Sequence, residues 1–217
     1  MNVLGNGLYD AEHYEDALSV DEARLSLMRR LGASADNMLI TQGNLACTYE
    51  KAGRDEQALS LRQEVYSGRL KLSGNEARST IIAANNLATT LCDLHRFKEA
   101  KSVLRKIIPV TRRVHGEGDR LTLKTRWSYA EAFYKDDAAT LDNLREAVTT
   151  LEDLERIARR VFGGTHPLTV DLGNSLQDAR AALASREMTA AGRGTTRAGD
   201  VRALREAVAA MSTSGTK

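Results

Sequence analysis

The chain has 217 residues, enough for one ordinary domain or an array of smaller units, and its 31 Lys and Arg nearly balance 29 Asp and Glu. Residues 186–217 hold six basic side chains against three acidic ones, which leaves the remainder at −1 and without the clustered cations that track a phosphate backbone, so nucleic acid is not an expected partner. Nothing approaches the roughly 18 consecutive apolar residues of a membrane span, and MNVLGNGLYDAE lacks the basic and apolar regions of a secretory leader; a soluble cytoplasmic protein without a membrane partner is expected.

Ala, Leu, Arg and Glu dominate and there are only two prolines, a composition that predicts an all-α fold. The first unit, residues 2–37, reads as degenerate: Gly5-Asn6-Gly7 interrupts its front half, and YEDAL at Tyr14 opens a better helix. The second unit spans 38–78. Leu45, Ala46 and Tyr49 form a helical stripe that ends at Gly53, which suits the left-handed residue closing a helix, and Asp55 favours the positive end of the next one. There, Ala58, Leu61, Val65 and Leu72 are the predicted apolar stripe.

The third unit, 79–120, repeats the second. Moving NLACTYEKAGRDEQAL forward by 42 residues lays it on NLATTLCDLHRFKEAK at Asn86, and the same shift pairs Arg54 with Arg96, Ala58 with Ala100 and Gly74 with Gly116. Pro109 falls inside the second helix of this unit, where a kink is predicted. In the fourth unit, 121–166, Ser128-Tyr129-Ala130 lies over Asn86-Leu87-Ala88, and five extra residues near Asp136–Asp142 fall between two helices. Gly163-Gly164-Thr165-His166-Pro167 then stops one helix and starts another, with Pro167 in the first turn where its missing N–H costs nothing. A capping helix over 167–186 carries Leu172, Leu176, Ala179 and Leu183 on one side and Asp171, Asn174, Gln177, Asp178 and Arg180 on the other. Residues 187–217 turn to Gly, Thr, Ser, Ala and Arg, a low-complexity tail expected to be mostly disordered, in which VRALREAVAAM at Val201 could form a short amphipathic helix.

A helical hairpin cannot bury its apolar stripe alone, so such units must stack, and the rotation between them predicts a right-handed superhelical solenoid with a concave inner face. NLACTYEKAGRDEQAL, NLATTLCDLHRFKEAK and GGTHPLT at Gly163 resemble the 42-residue tetratricopeptide repeats (TPRs) of kinesin light chains, whose pattern is close to NLA-x-x-Y-x-x-x-G-x-x-x-EA with G-x-x-HP-x-T between repeats. The resemblance runs from about Tyr9 to about Ala182. It implies a non-catalytic protein-binding scaffold that takes an extended peptide or a helix in its concave groove. It also admits the kinesin heavy chain as a partner, which that family holds through an N-terminal coiled coil; no sustained heptad pattern precedes the first repeat. The alternative is a structural spacer, or a fragment that self-assembles, without a dedicated peptide groove.

In tetratricopeptide proteins the first helix of each unit lines the concave face. The resemblance therefore puts Asn44, Asn85, Asn86, Thr89 and Asp93, and further on Lys124, Trp127, Ser128, Glu131, Tyr134 and Lys135, on or near that surface. An asparagine amide both donates and accepts, which matches an extended peptide backbone, although Asn44 and Asn86 could instead bond neighbouring helices. Trp127 is either a groove anchor or a residue packed between repeats. No catalytic, cofactor or metal site is expected. His13, His95, His115 and His166 are scattered among helix ends and turns, and Cys47 and Cys92 are too few for a zinc site.

Overall fold

The computed structural model describes the backbone of residues 2–213 and the side chains of residues 7–191. Among the described residues the elements are α1 (Asn2–Asp10), α2 (Tyr14–Arg30), α3 (Ala35–Lys51), α4 (Asp55–Ser73), α5 (Arg78–Asp93), α6 (Phe97–His115), α7 (Arg120–Tyr134), α8 (Leu141–Phe162) and α9 (Pro167–Thr213). Each helix packs on the next, and α7 additionally touches α5 and α9, while the even-numbered helices make no comparable contacts with one another. The odd helices are thus the inner layer of a helical-hairpin solenoid and the even helices its outer layer.

The register that the sequence predicts is the register in which the hairpins close. Ala46, Ala88 and Ala130 on inner helices, and Ala58, Ala100 and Ala147 on outer ones, are at most 1% exposed, so small residues sit where helix backbones approach. Ala88→Leu is therefore expected to destabilise the array by roughly 1–3 kcal/mol, because extra methylenes at a filled crossing force backbone shifts; a melt that matches the wild type would show that the crossing has slack. Gly53 ends α3 at φ +70°, and His95, 42 residues on, takes the same slot after α5 at φ +57°, a conformation glycine adopts without strain and histidine does not. Gly68 has a different reason to lack a side chain: a Cβ there would come within 2.5 Å of a methyl of Leu39, so its absence lets α3 seat on α4.

On α4 the structure corrects the predicted stripe. Ala58, Leu59 and Val65 are buried, but Leu61 is half-buried and Leu72 exposed, and the inward positions are taken by Arg62 and Arg69. Both arginines enter the interior already paired, Arg62 with Glu50 and Arg69 with Asp36. The predicted kink at Pro109 does not break α6, which is continuous through it. Pro109 and Arg105 both lie on the exposed face, so the Arg105 carbonyl that loses its helical N–H partner faces solvent.

Pro167 opens α9, and Leu172, Leu176 and Ala179 are buried against the preceding hairpin and Leu183 is half-buried, while Asp171, Asn174, Gln177, Asp178 and Arg180 are exposed. Further along α9, the Arg186 guanidinium donates to the carbonyls of Asp137 and Ala139 at 2.7 and 3.0 Å, and Glu187 pairs with Arg145 at 2.8 Å. The backbone then stays helical to Thr213, where composition predicts disorder, since alanine and arginine extend an existing helix without a new nucleation cost. Side chains 188–191 are all exposed, and those of the Val201 segment lie outside the described residues. We expect a chain ending at Glu187 to melt within about 2 °C of the full protein, since a stability change under about 0.5 kcal/mol shifts a chain of this size that little. A larger loss would assign the tail a packing role.

Candidate functional site on the concave wall

Successive inner helices present the same register positions to the concave side, yet the wall is not uniform. Asn44 on α3 is exposed, Asn86 on α5 is half-buried, and Ser128 on α7 is buried, although all three occupy one position of the repeat. The cause is helix spacing: α7 packs directly on both α5 and α9, whereas α3 and α5 stand farther apart.

The gap between α3 and α5 is a cleft of about 270 Å³. Asn44 and Asn86 line it together with Ile40 and Ile82, which are 45% and 41% exposed and lie 42 residues apart. Its floor holds Arg62, Arg69, Gly43 and Cys47. Arg62 is buried and fully engaged: it donates to both Glu50 oxygens at 3.1 and 2.8 Å, to the Gly43 carbonyl at 3.2 Å and to Cys47 Sγ at 3.1 Å. Glu50 in turn accepts from the Thr90 hydroxyl at 2.6 Å, which ties the second repeat to the third. A second cleft of about 280 Å³ lies between α1 and α3, bounded by Tyr9, Asp21 and Thr48, and shares Asn44 and Cys47 with the first. The N-terminal half of the wall is therefore an open, two-chambered trough with Asn44 on its dividing ridge.

Along α5, Thr89 is exposed and returns its hydroxyl to the Asn85 carbonyl at 3.1 Å. The Asn85 side-chain oxygen is enclosed but accepts no hydrogen bond from the protein. Asp93 is exposed as a whole, yet partial exclusion of water from its carboxyl holds it above the usual range, with Lys135 opposing.

The C-terminal half of the wall is closed. Trp127 is half-buried against the cluster of Leu123, Leu172 and Leu176, and its indole N–H donates to Ser175 Oγ on α9 at 3.0 Å. It joins repeats, and with Ser128 buried beside it neither residue stands free in a groove. Tyr134 packs on the same cluster. Glu131 accepts from Lys135 Nζ at 3.0 Å and from the Tyr134 hydroxyl at 3.4 Å, while Lys124 is exposed. Sequence reading missed Ile40 and Ile82, though two isoleucines one repeat apart outside the apolar stripe were a usable signal. It also missed Arg62 and Arg69, for which spacing alone gives none. Among the described residues no three His, Cys, Asp or Glu converge as metal ligands, and no helix is long and apolar enough to cross a membrane.

Stacked helical hairpins, with small residues where α3 to α8 approach one another and an inner wall built from the first helix of each unit, are the architecture of a TPR-like solenoid. The tetratricopeptide repeat family model matches residues 80–120, the third unit. No curated protein sequence is significantly similar to the chain. Among solved structures, a candidate kinesin light chain from Podosopora anserina with nearly identical TPR-like repeats superimposes with a TM-score of 0.70 at 19% identity, covering 92% of this chain and 93% of that one. A second structure of those repeats gives 0.72 at 19% identity, over 93% of both chains. BtubC (BKLC) from P. vanneervenii gives 0.65 at 16% identity, over 89% of this chain and 79% of its own. The chain has the fold of kinesin light chain TPR-like repeats, and one of its units matches the tetratricopeptide repeat model.

Proposed function

We propose that the chain is a non-catalytic scaffold that recognises an extended segment of another protein in the trough on the N-terminal half of its concave wall. The observation that carries this reading is the α3–α5 cleft, where two asparagine amides and two exposed isoleucines face one space above a floor of fixed guanidinium groups. Amides satisfy a peptide backbone in either direction, and the isoleucines supply apolar area. The likeness in fold to kinesin light chain repeats supports a protein ligand over a small molecule, and the closed C-terminal wall favours a short segment over one that follows the whole array.

Peptides selected from a random displayed library on the full-length chain test the proposal. Asn44→Ala combined with Asn86→Ala, and separately Ile82→Glu, should each weaken a selected peptide at least tenfold in fluorescence anisotropy while leaving the melting temperature within about 2 °C, the range set by surface substitutions. Unchanged affinity in both variants would remove the trough as the recognition surface and favour the spacer.

A further inference from the structure

The outer helices all finish in the same way. Leu31, Leu72, Val114 and Val161 occupy one repeat position, just past the end of α2 and in the last turns of α4, α6 and α8, and they are 74, 51, 40 and 48% exposed. The residue before each is basic and exposed: Arg30, Lys71, Arg113 and Arg160. Among the described residues only Arg113 of these is held in an ion pair, with Glu76 at 2.6 Å.

A helix dipole accounts for cations at helix C-termini. It does not account for an exposed apolar side chain beside each cation, nor for α5 and α7, which begin on this same edge with Arg78 and Arg120 and no acidic residue in their first turns. On this edge Asp36 is paired with Arg69, Glu76 with Arg113, Glu117 with Arg112 and Arg126, and Asp119 with Arg78. Acidic residues gather instead on the opposite edge, where the outer helices start with Glu15 and Asp16, Asp55 and Glu56, Glu99, and Asp142. The solenoid is polarised across its width.

We propose that this ladder of alternating cations and apolar side chains binds an acidic segment of another protein, laid along the edge in extended form with apolar residues set between its carboxylates. Rotation between repeats twists the edge, and a flexible chain can follow a twisted line where a flat bilayer cannot. A phosphate backbone has no counterpart for the protruding leucines and valines. With helices about 10 Å across, one rung follows another at roughly 20 Å, or about six extended residues, so about 20 residues span the ladder. This surface is separate from the trough and does not rest on it.

The probe is a fluorescein-labelled 20-residue peptide carrying two glutamates and one leucine in every six residues, the rest glycine and serine, titrated against the full chain by anisotropy. Binding should weaken with added salt and fall at least tenfold for Arg30→Glu/Lys71→Glu/Arg160→Glu, and at least tenfold for Leu31→Ser/Leu72→Ser/Val114→Ser, which keeps every charge. Asn44→Ala/Asn86→Ala should bind this probe like the wild type, which separates failure here from failure of the trough. Equal binding of a peptide with serine in place of leucine would reduce the edge to unspecific charge and overturn the proposal. So would wild-type affinity in both edge variants, or stronger binding to phosphatidylserine vesicles than to the peptide at equal charge.

Discussion

Arg62→Ala is expected to lower stability by about 3 kcal/mol and the melting temperature by roughly 10 °C, since removing one partner of a buried pair strands the other. The guanidinium reaches Glu50, the Gly43 carbonyl and Cys47 Sγ at once, and Glu50 also holds the Thr90 hydroxyl of the following repeat. Deleting it leaves a cavity under the cleft and a carboxylate with one remaining neutral partner. Glu50 keeps 27% of its side-chain surface, which places the loss at the lower end of the range for buried pairs. Urea melts of Arg62→Ala, Glu50→Ala and the double variant give the coupling, expected at about 1–3 kcal/mol for residues in one network. A coupling near zero would mean that Arg62 contributes through its aliphatic stem alone.

That network also marks where sequence stops informing. The 42-residue shift makes the stacking legible because each unit meets the same neighbours, so Ala88 and Ala130 must be small for the same reason as Ala46. The inward face of α4 escapes this logic. Arg62 and Arg69 stand at helical core spacing, but an arginine is buried only if a partner is in place, and the partners Glu50 and Asp36 come from α3 through the hairpin turn. Of the candidate site, the inner-helix positions were legible and their accessibility was not. Asn44, Asn86 and Ser128 are equivalent in the repeat, yet whether such a residue meets solvent depends on how closely neighbouring inner helices pack, a sum over side chains of three or four helices. Trp127 illustrates the same limit: being aromatic on an inner helix fixes neither its partner nor its freedom.

Trp127→Ala should therefore cost stability as well as any contact with a ligand. A fully buried tryptophan loses about 3–5 kcal/mol on truncation; half-buried Trp127 should lose roughly 2–3 kcal/mol and about 8 °C in melting temperature. Two effects contribute: its ring packs on the apolar cluster that α7, α8 and α9 share, and its N–H satisfies the buried Ser175 hydroxyl. Trp127→Phe keeps most of the ring and loses only the hydrogen bond, so it should retain all but about 1 kcal/mol. The contrast with Asn44→Ala/Asn86→Ala separates the two halves of the concave wall, since those amides line a solvent-filled cleft and their removal leaves no cavity in the core. If Trp127→Ala melted with the wild type while a trough-selected peptide bound more weakly, the indole would be a recognition residue that leaves α9 in solution, and the recognition surface would extend past the trough into the C-terminal repeats.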